Sequence, residues 1–554
     1  MHSPLYFTRF CLFIVLVTGI SFASFAQEKW EEGEGGIKNV EIQIVKNREI
    51  TLPAANRNFE KVPPRPAEPN KPEITYELKT LNFNTPDFNP VIRPLKLKTE
   101  PLSKTYGNYV SAGIGNYASG FAEAYLNTKR DKNKFYGAHL YHKSFGKGPV
   151  DGKFSASGNT NLDLFGKFFT DKVTTGASLN FENRMGYFYG YPSLSGIERD
   201  QIKQSYNVFG LGGEIENAKP GDFNFKLNGG FSYLSDHYSA KESEVALRWK
   251  GDYKLSETTG FILDADYFLI SRKDALVDAA PRHLFKVKPA YRFYPLDGLK
   301  LIVGLNAAYE NDNNDNKSLH VYPNVWANYE LGKSAQAYAG LTGDMDKVSL
   351  HTLSKENLWL NSNVDIFHTN RAFDLTAGLK GKLVKNLAFD AGFSVARLKN
   401  LYYYQNALIG SSQSKFDVKY DNTSRLNLFA DLGISVTDKV RFNGRGDYYG
   451  YSSDALLHRP TYRLALGSSF NIYSKFTLQI DFISQGGMKA LDTVTGKTFT
   501  LDPALDLNAK ANYFLSKQFA VFLKLNNILS SDYPLYYNYP VRGFQAMAGL
   551  SWSF

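Results

Sequence analysis

The residues that could do chemistry in this 554-residue chain are few and scattered. His139 and His142 are the two histidines closest in sequence, and a pair of imidazoles is a common start for a metal site. Residues three apart on a β-strand point to opposite faces, however, so on a strand the two rings could not share one ion. We therefore expect a structural or interfacial role for both.

A second candidate is an alternating run of oxygen ligands. Glu310, Asp312, Asn314 and Asn316 resemble the opening of a calcium-binding loop. The glycine and the distal bidentate glutamate of such loops are missing, so the pattern favours a plain solvated loop.

Enzyme motifs are not apparent. His283 and His320 stand beside no recognisable nucleophile motif, and the only cysteine, Cys11, lies in an apolar N-terminal run. The sequence therefore predicts no catalytic site, no metal and no cofactor. The net charge of +10 arises from basic residues that alternate with acidic and apolar ones, which argues against nucleic-acid binding.

Many charged residues instead occupy one face of an alternating pattern. In such a pattern they either hydrate a polar wall and pair across strands, or set a field for a passing solute. The candidates for a lumen-facing position are Arg248, Lys250, Arg441, Arg445, Asp447, Arg463, Asp481, Asp506, Lys510 and Lys524.

Tyrosines form a further group, at predicted strand ends. They would either bind a ligand such as a sugar or lie among lipid headgroups as an aromatic girdle. They are Tyr402, Tyr403, Tyr404, Tyr533, Tyr536, Tyr537 and Tyr539.

The elements that must position these residues are β-strands. From about Tyr109 to Phe554 apolar and polar residues alternate with period two, as in Phe476–Phe482 and Phe223–Asn228. Many of these runs exceed the ~10 residues that a tilted strand needs to cross a bilayer. The apolar face is therefore predicted to meet lipid, and the charged face to line a lumen.

Turn spacing gives the strand count. Short polar links, such as 170–172, 331–333 and 515–517, alternate with longer loops, such as 310–318 and 345–372. Two more long loops are predicted at 400–420 and 486–502. The sequence thus predicts an all-β, antiparallel, up-and-down transmembrane barrel of about 22 strands. An even strand number places the first and the last strand terminus of the barrel on the periplasmic side.

The region before the barrel is different. Residues 1–26 have the features of a cleaved signal peptide for export, and the exported barrel is expected in the bacterial outer membrane. Residues 27–107 hold ten prolines and are predicted to be an extended tether in the periplasm or lumen, followed by the barrel at 108–554. Within the tether, Val40, Ile42 and Ile44 alternate and could add as a strand to a partner; a strand on the chain's own barrel, or disorder, is the alternative.

The last strand ends on an aromatic residue. Phe544, Leu550, Trp552 and Phe554 share its apolar face. This ending resembles the signal read by the outer-membrane barrel assembly machinery, which makes that machinery an expected partner during biogenesis.

The C-terminal hairpin also resembles that of TonB-dependent receptors. The resemblance is carried by Leu525–Leu529, Tyr533, Tyr539-Pro540 and Arg542–Phe544 before the closing strand. The segments Gly113–Tyr117 and Tyr187–Tyr191 are similar in style to Bacteroidetes members of that group. Those receptors carry a globular plug ahead of the barrel, whereas residues 27–107 do not look able to fold as one.

The resemblance implies a receptor or transport barrel for an unidentified solute, with TonB or another envelope protein as a possible partner. A non-transporting accessory barrel that docks envelope partners is the first alternative, and a passive porin is the second. The lumen would be closed by the tether, by inner-wall residues and loops, or by a partner.

Overall fold

The computed structural model describes residues 106–129, 131–191, 196–312, 318–408 and 412–554. The predicted signal peptide, nearly all of the predicted tether and its Val40, Ile42 and Ile44 lie outside the described residues, as do Asn314 and Asn316. None of the helices in the described part of the chain is long and apolar enough to cross a membrane.

The described residues form 26 strands and three short helices. The strands are β1 (Tyr109–Gly115), β2 (Ser119–Asn127), β3 (Lys134–Phe145), β4 (Ser157–Phe169), β5 (Val173–Tyr187), β6 (Lys203–Asn217), β7 (Phe223–Asp236), β8 (Lys241–Lys254), β9 (Thr259–Lys273), β10 (Arg282–Leu296), β11 (Leu299–Glu310), β12 (Leu319–Leu331), β13 (Ala335–Asp346), β14 (Thr369–Val384), β15 (Leu387–Asn406), β16 (Phe416–Thr437), β17 (Val440–Tyr451), β18 (Tyr462–Ile472), β19 (Phe476–Gly486), β20 (Lys489–Asp492), β21 (Lys497–Thr500), β22 (Ala504–Phe514), β23 (Phe519–Asn526), β24 (Pro534–Tyr536), β25 (Tyr539–Pro540) and β26 (Gln545–Ser553). The helices are α1 (Leu350–Glu356) and two 3₁₀ turns, Gly152–Ser155 and Arg199–Ile202.

Twenty-two of these strands form one closed antiparallel barrel. β1 to β19 pair in sequence order, followed by β22, β23 and β26. The ring closes where β26 pairs with β1, from Tyr109 opposite Ser553 to Gly115 opposite Met547. The predicted fold class and strand number are therefore confirmed. β20 with β21, and β24 with β25, form separate two-stranded pairs in the connections.

The two ends of the barrel differ as predicted from the turns. One end, here called the short-turn end, has tight links and also the start of β1 and the end of β26. Gly298 and Gly332 have φ of 75° and 73° in two of these links, a conformation that favours glycine. The other end, the long-loop end, carries the long connections.

One predicted loop is shorter than expected. Residues 400–420 were predicted to be irregular, but β15 continues to Asn406 and β16 starts at Phe416. Alternation persists through Tyr402–Tyr404, so the ladder of hydrogen bonds with 416–420 continues. These two strands, of 20 and 22 residues, extend the wall at the long-loop end.

The two faces of the strands separate as the alternation predicts. Large apolar side chains such as Leu179, Leu211 and Phe231 are exposed on the outer face of the barrel. Their sequence neighbours point inward and are mostly polar, charged or glycine. A barrel with an apolar outside and a polar inside suits a bilayer.

Candidate functional site

The inner wall is a network of paired charges. Lys286 and Lys288 on β10 both contact Asp344 of β13, with Nζ–O distances of 3.3 and 2.6 Å. Arg292 forms two hydrogen bonds to Asp252, of 2.6 and 2.9 Å. These pairs connect strands that are two or three places apart in the ring, and they keep the inner wall polar.

All ten predicted lumen-facing residues lie on barrel strands, on the face opposite the exposed apolar side chains. Arg248 and Lys250 are on β8, and the Arg248 guanidinium lies 5.3 Å from the Phe268 ring centroid. Arg445 is paired with Asp447 at 2.9 Å on β17. The others are Arg441 on β17, Arg463 on β18, Asp481 on β19, Asp506 and Lys510 on β22, and Lys524 on β23.

The two neighbouring histidines point apart. His139 lies inside, 3.4 Å from both Glu123 and Asp163, whereas His142 contacts Thr160 on the other face of the sheet. Among the described residues, no group of three or more His, Cys, Asp or Glu side chains could hold a metal ion.

The most unusual feature of the interior is the connection between β13 and β14. Residues 347–368, here called the closing segment, contain α1 and pack across the long-loop end of the barrel. Ser349 caps α1 by accepting a hydrogen bond from the Thr352 N–H at 3.2 Å. Leu350, Leu353 and Leu360 are buried, so the segment has its own apolar side.

Two glutamates of β8 hold one end of the closing segment. The buried carboxylate of Glu242 accepts hydrogen bonds from the backbone N–H groups of Leu350 (2.7 Å) and His351 (2.9 Å). These are N–H groups at the start of α1, which have no partner within the helix. Glu244 binds the Lys347 ammonium at 2.5 Å.

Trp359 links opposite sides of the barrel. Its indole Nε1–H donates to the carbonyl of Tyr187, at the end of β5, at 2.9 Å. Its own carbonyl accepts from the N–H of Phe416, at the start of β16, at 2.9 Å. β5 and β16 are the fifth and sixteenth strands of a ring of 22, half a turn apart. The segment therefore crosses the mouth rather than lying along one wall.

An aromatic cluster fills the space around Trp359. The Trp359 ring centroid is 4.1 Å from that of Tyr539 and 5.7 Å from that of Tyr189. Leu353 is completely buried, and its carbonyl accepts a hydrogen bond from the Tyr404 hydroxyl at 3.3 Å. The rest of this mouth cluster comes from several connections and strand ends and includes Phe188, Ile202, Tyr206, Val364, Phe416 and Tyr536.

This cluster corrects the prediction for the tyrosines. Tyr404, Tyr536 and Tyr539 are buried in the mouth cluster, so they neither line an open ligand surface nor lie among headgroups. Tyr402 donates a hydrogen bond to Glu356 at 2.7 Å, and Tyr533 donates one to Asp506 at 3.0 Å. Tyr403 and Tyr537 are half-buried.

A buried polar group anchors the other end of the closing segment. Arg282 binds Asp312 at 2.6 Å and donates to His368 at 2.9 Å, and the His368 Nδ1 accepts the Val348 N–H at 3.1 Å. Burial, together with the nearby Arg282 charge, lowers the pKa of His368 to about 3, so the ring is neutral at pH 7. Asp312 is thus buried in an ion pair, and the expectation that it lies in a solvated loop was wrong.

Comparison with known proteins gives matches at the level of structure only. No known family model matches the chain, and no curated protein matches its sequence. The siderophore receptor PirA from Acinetobacter baumannii has a TM-score of 0.62 at 10% identity, covering 81% of this chain and 80% of that one. The FrpB iron transporter from Neisseria meningitidis has a TM-score of 0.63 at 10% identity, covering 82% of each chain.

A third match is the ferric-catecholate import receptor Fiu from Escherichia coli K12, with a TM-score of 0.60, 9% identity, and coverage of 81% of this chain and 82% of that one. This chain has the fold of these receptors. All three are receptors or transporters by description, and none is an enzyme. Identities this low show a shared fold and do not carry over a ligand.

The sequence predicts a long loop at 345–372 but does not reveal that this loop packs across the mouth of the barrel. The available signal was its composition, because Leu350, Leu353, Leu358, Trp359 and Leu360 are unusually apolar for a solvated loop. Their contacts come from residues far along the chain, such as Tyr187, Tyr404 and Phe416, which no local pattern reveals.

Proposed function

We propose that the chain is a receptor or transport barrel of the bacterial outer membrane, of the TonB-dependent-receptor-like group. Its long-loop end would face the outside, and the closing segment would act as the outer gate. The observation that carries the proposal is a closed 22-stranded barrel with an apolar outside and a charged inside, a fold found in iron and siderophore receptors.

The contacts of the closing segment support a gate. It is held by hydrogen bonds, ion pairs and aromatic packing, each of which can be broken without unfolding a barrel strand. Displacing it would expose the charged inner wall to the outside.

The test is single-channel recording in a planar bilayer. The full chain is expected to show no steady conductance, and replacing residues 349–366 by a short Gly-Ser linker should raise the conductance. A full chain that conducts steadily would instead support the passive porin.

A non-transporting accessory barrel is the second candidate, because a mouth filled by an aromatic cluster also suits a barrel that never opens. Residues 27–107, with Val40, Ile42 and Ile44, would then contact an envelope partner, TonB or another protein. Crosslinking in native membranes, with residues 27–104 present and deleted, separates the two. A partner that is lost with the deletion, from a chain that never conducts, favours the accessory barrel.

A further inference from the structure

Four basic side chains gather near the seam of the barrel, three on inner-wall strands and one in a connection. The strands around this seam follow the order β22, β23, β26, β1, β2 and β3. The four residues, here called the basic patch, are Lys143 on β3, Lys510 on β22, Lys524 on β23 and Arg542 in the connection before β26.

Among the described residues, no acid forms an ion pair with any member of the basic patch. Lys510 and Lys524 are direct cross-strand partners, an arrangement in which like charges repel. In the part of the chain that the structure describes, none of the four has a carboxylate within 4.0 Å. Lys143 is instead close enough to repel both Lys524 and Arg542.

Aromatic rings hold three of these four cations in place. The Lys524 ammonium lies 3.6 Å from the centroid of the Phe121 ring. Lys143 and Arg542 share the ring of Phe145, at 5.2 and 4.1 Å. Cation–π contacts position a cation without neutralising it, so the positive charge stays available to an anion.

Small residues at the seam allow this arrangement. A Cβ added to Gly113 or Gly549 would lie 2.7 or 2.4 Å from the Phe522 ring. Without side chains there, the Phe522 ring of β23 crosses the seam and meets Phe121 of β2 edge-on, at 6.0 Å between centroids. The aromatic surface that contacts Lys524 therefore depends on residues of four strands, β23, β26, β1 and β2.

The nearest acid is already engaged. Glu123 interacts electrostatically with Lys524, but its carboxylate accepts a hydrogen bond from Tyr125 at 3.3 Å and lies 3.4 Å from His139. Arg542 also lines a cavity of about 330 Å³ beside the closing segment, together with Trp359 and with Asp506, whose carboxylate accepts a hydrogen bond from Tyr533. One residue of the basic patch, Arg542, thus lines an internal space that a solute could enter.

We propose that the basic patch binds a polyanionic solute, one that carries two or more phosphate or carboxylate groups. Several spaced cations suit several spaced acid groups, because charge-assisted hydrogen bonds from ammonium and guanidinium groups are strong where water is limited. The proposal deepens the receptor and transport function above by naming a solute class.

The test is calorimetric titration of the detergent-solubilised full chain with sodium pyrophosphate and sodium citrate. Saturable binding of pyrophosphate alone assigns phosphate groups to the solute, and binding of citrate alone assigns carboxylates. Binding of both supports recognition of charge, and sodium acetate should bind at least tenfold more weakly. If neither pyrophosphate nor citrate showed saturable binding, the proposal would be overturned.

Variants link any binding to the basic patch. K510Q/K524Q should weaken binding at least tenfold, whereas the charge-retaining K510R/K524R should stay within about threefold of the native chain. K382Q, at an exposed inner-wall lysine of β14, is the matched control and should be unchanged within twofold. Heat-modifiable migration on gels checks that each barrel is folded. Equal binding by K510Q/K524Q and the native chain would overturn the proposal.

The titration involves no translocation. Saturable binding by the full chain, together with no conductance even after residues 349–366 are replaced, would therefore support the site and reject the transport function. Conductance that appears only after this replacement, without binding by the full chain, would overturn the site and support the transport function.

Discussion

Trp359 offers the sharpest perturbation of the closing segment. Trp359→Ala removes the indole hydrogen bond to the Tyr187 carbonyl and the ring packing on Tyr539 and Tyr189. Large-to-small substitution of a packed Trp costs about 3–5 kcal/mol, and we take the lower value because this side chain is half-buried. If the free energy that keeps the closing segment closed falls by about 3 kcal/mol, the population of its open state rises roughly a hundredfold.

Hydrogen exchange measured by mass spectrometry reads this population directly. In the closed state the N–H groups of Leu350 and His351 are bound by Glu242, and those of Leu353 and Asn357 by carbonyls of α1 and its cap. They exchange only when the segment opens, so Trp359→Ala should reduce the protection of peptide 350–358 by roughly a hundredfold.

Two further variants make the result interpretable. Trp359→Phe keeps an aromatic ring but loses the hydrogen bond, at about 1 kcal/mol, so protection should fall roughly fivefold. Lys355→Ala changes a largely exposed side chain of the same helix and should alter protection by about twofold at most. If Trp359→Ala and Lys355→Ala gave the same protection, the conclusion that Trp359 ties the mouth shut would be refuted.

Three other substitutions test separate parts of the structure. Glu242→Gln leaves one acceptor oxygen for two N–H groups, so the free energy of closure should fall by about 2 kcal/mol. Protection of α1 should then fall roughly 30-fold in the same exchange experiment. Unchanged protection would argue that Glu242 does not anchor the closing segment. Leu179→Arg on the outer face should destabilise the barrel in lipid vesicles by about 2 kcal/mol or more in urea unfolding, whereas Asn180→Arg on the inner face should not; equal effects would contradict the assignment of faces. The pKa of His368 is about 3 when the segment is closed and about 6.5 when it is open, so only the open state gains this proton as the pH falls from 7.5 to 5. The protonation weakens closure by about 2 kcal/mol, and His368→Gln should remove that part of the pH dependence of exchange; an identical pH dependence in both proteins would exclude the contribution of His368.

The faces of the strands could be predicted from sequence, whereas the closure of the mouth could not. Alternation alone places Lys510 and Lys524 inside, because a strand buried on one side fixes its register. That they oppose each other depends on the register of the β22–β23 hairpin, and the contact of Lys524 with Phe121 depends on closure of the ring. The contact of Lys524 with Phe121 joins residues hundreds of positions apart.

The tyrosines also show that the sequence alone does not reveal contacts between distant residues. Rings near strand ends predict a girdle when the loops extend into solvent, but here the connection between β13 and β14 turns inward and buries Tyr404 and Tyr539. Whether a long loop projects or folds inward is decided by distant partners such as Glu242 on β8. Composition alone gave only the hint that this loop is apolar.

The most direct test of the central claim uses two adjacent positions on β17. Phe442 points outward and Asn443 inward, and replacing Cys11, the only cysteine, gives a background for single-cysteine variants. The variants are placed in proteoliposomes of known orientation, in a chain lacking residues 27–104. A water-soluble maleimide added at the short-turn end should label Asn443→Cys. The same reagent added at the long-loop end should label Asn443→Cys only after residues 349–366 are replaced. Phe442→Cys should react only with a lipid-soluble reagent. Equal labelling of the two positions by the water-soluble maleimide, or labelling of Asn443→Cys from the long-loop end with the closing segment intact, would contradict a lipid-facing barrel closed at that end.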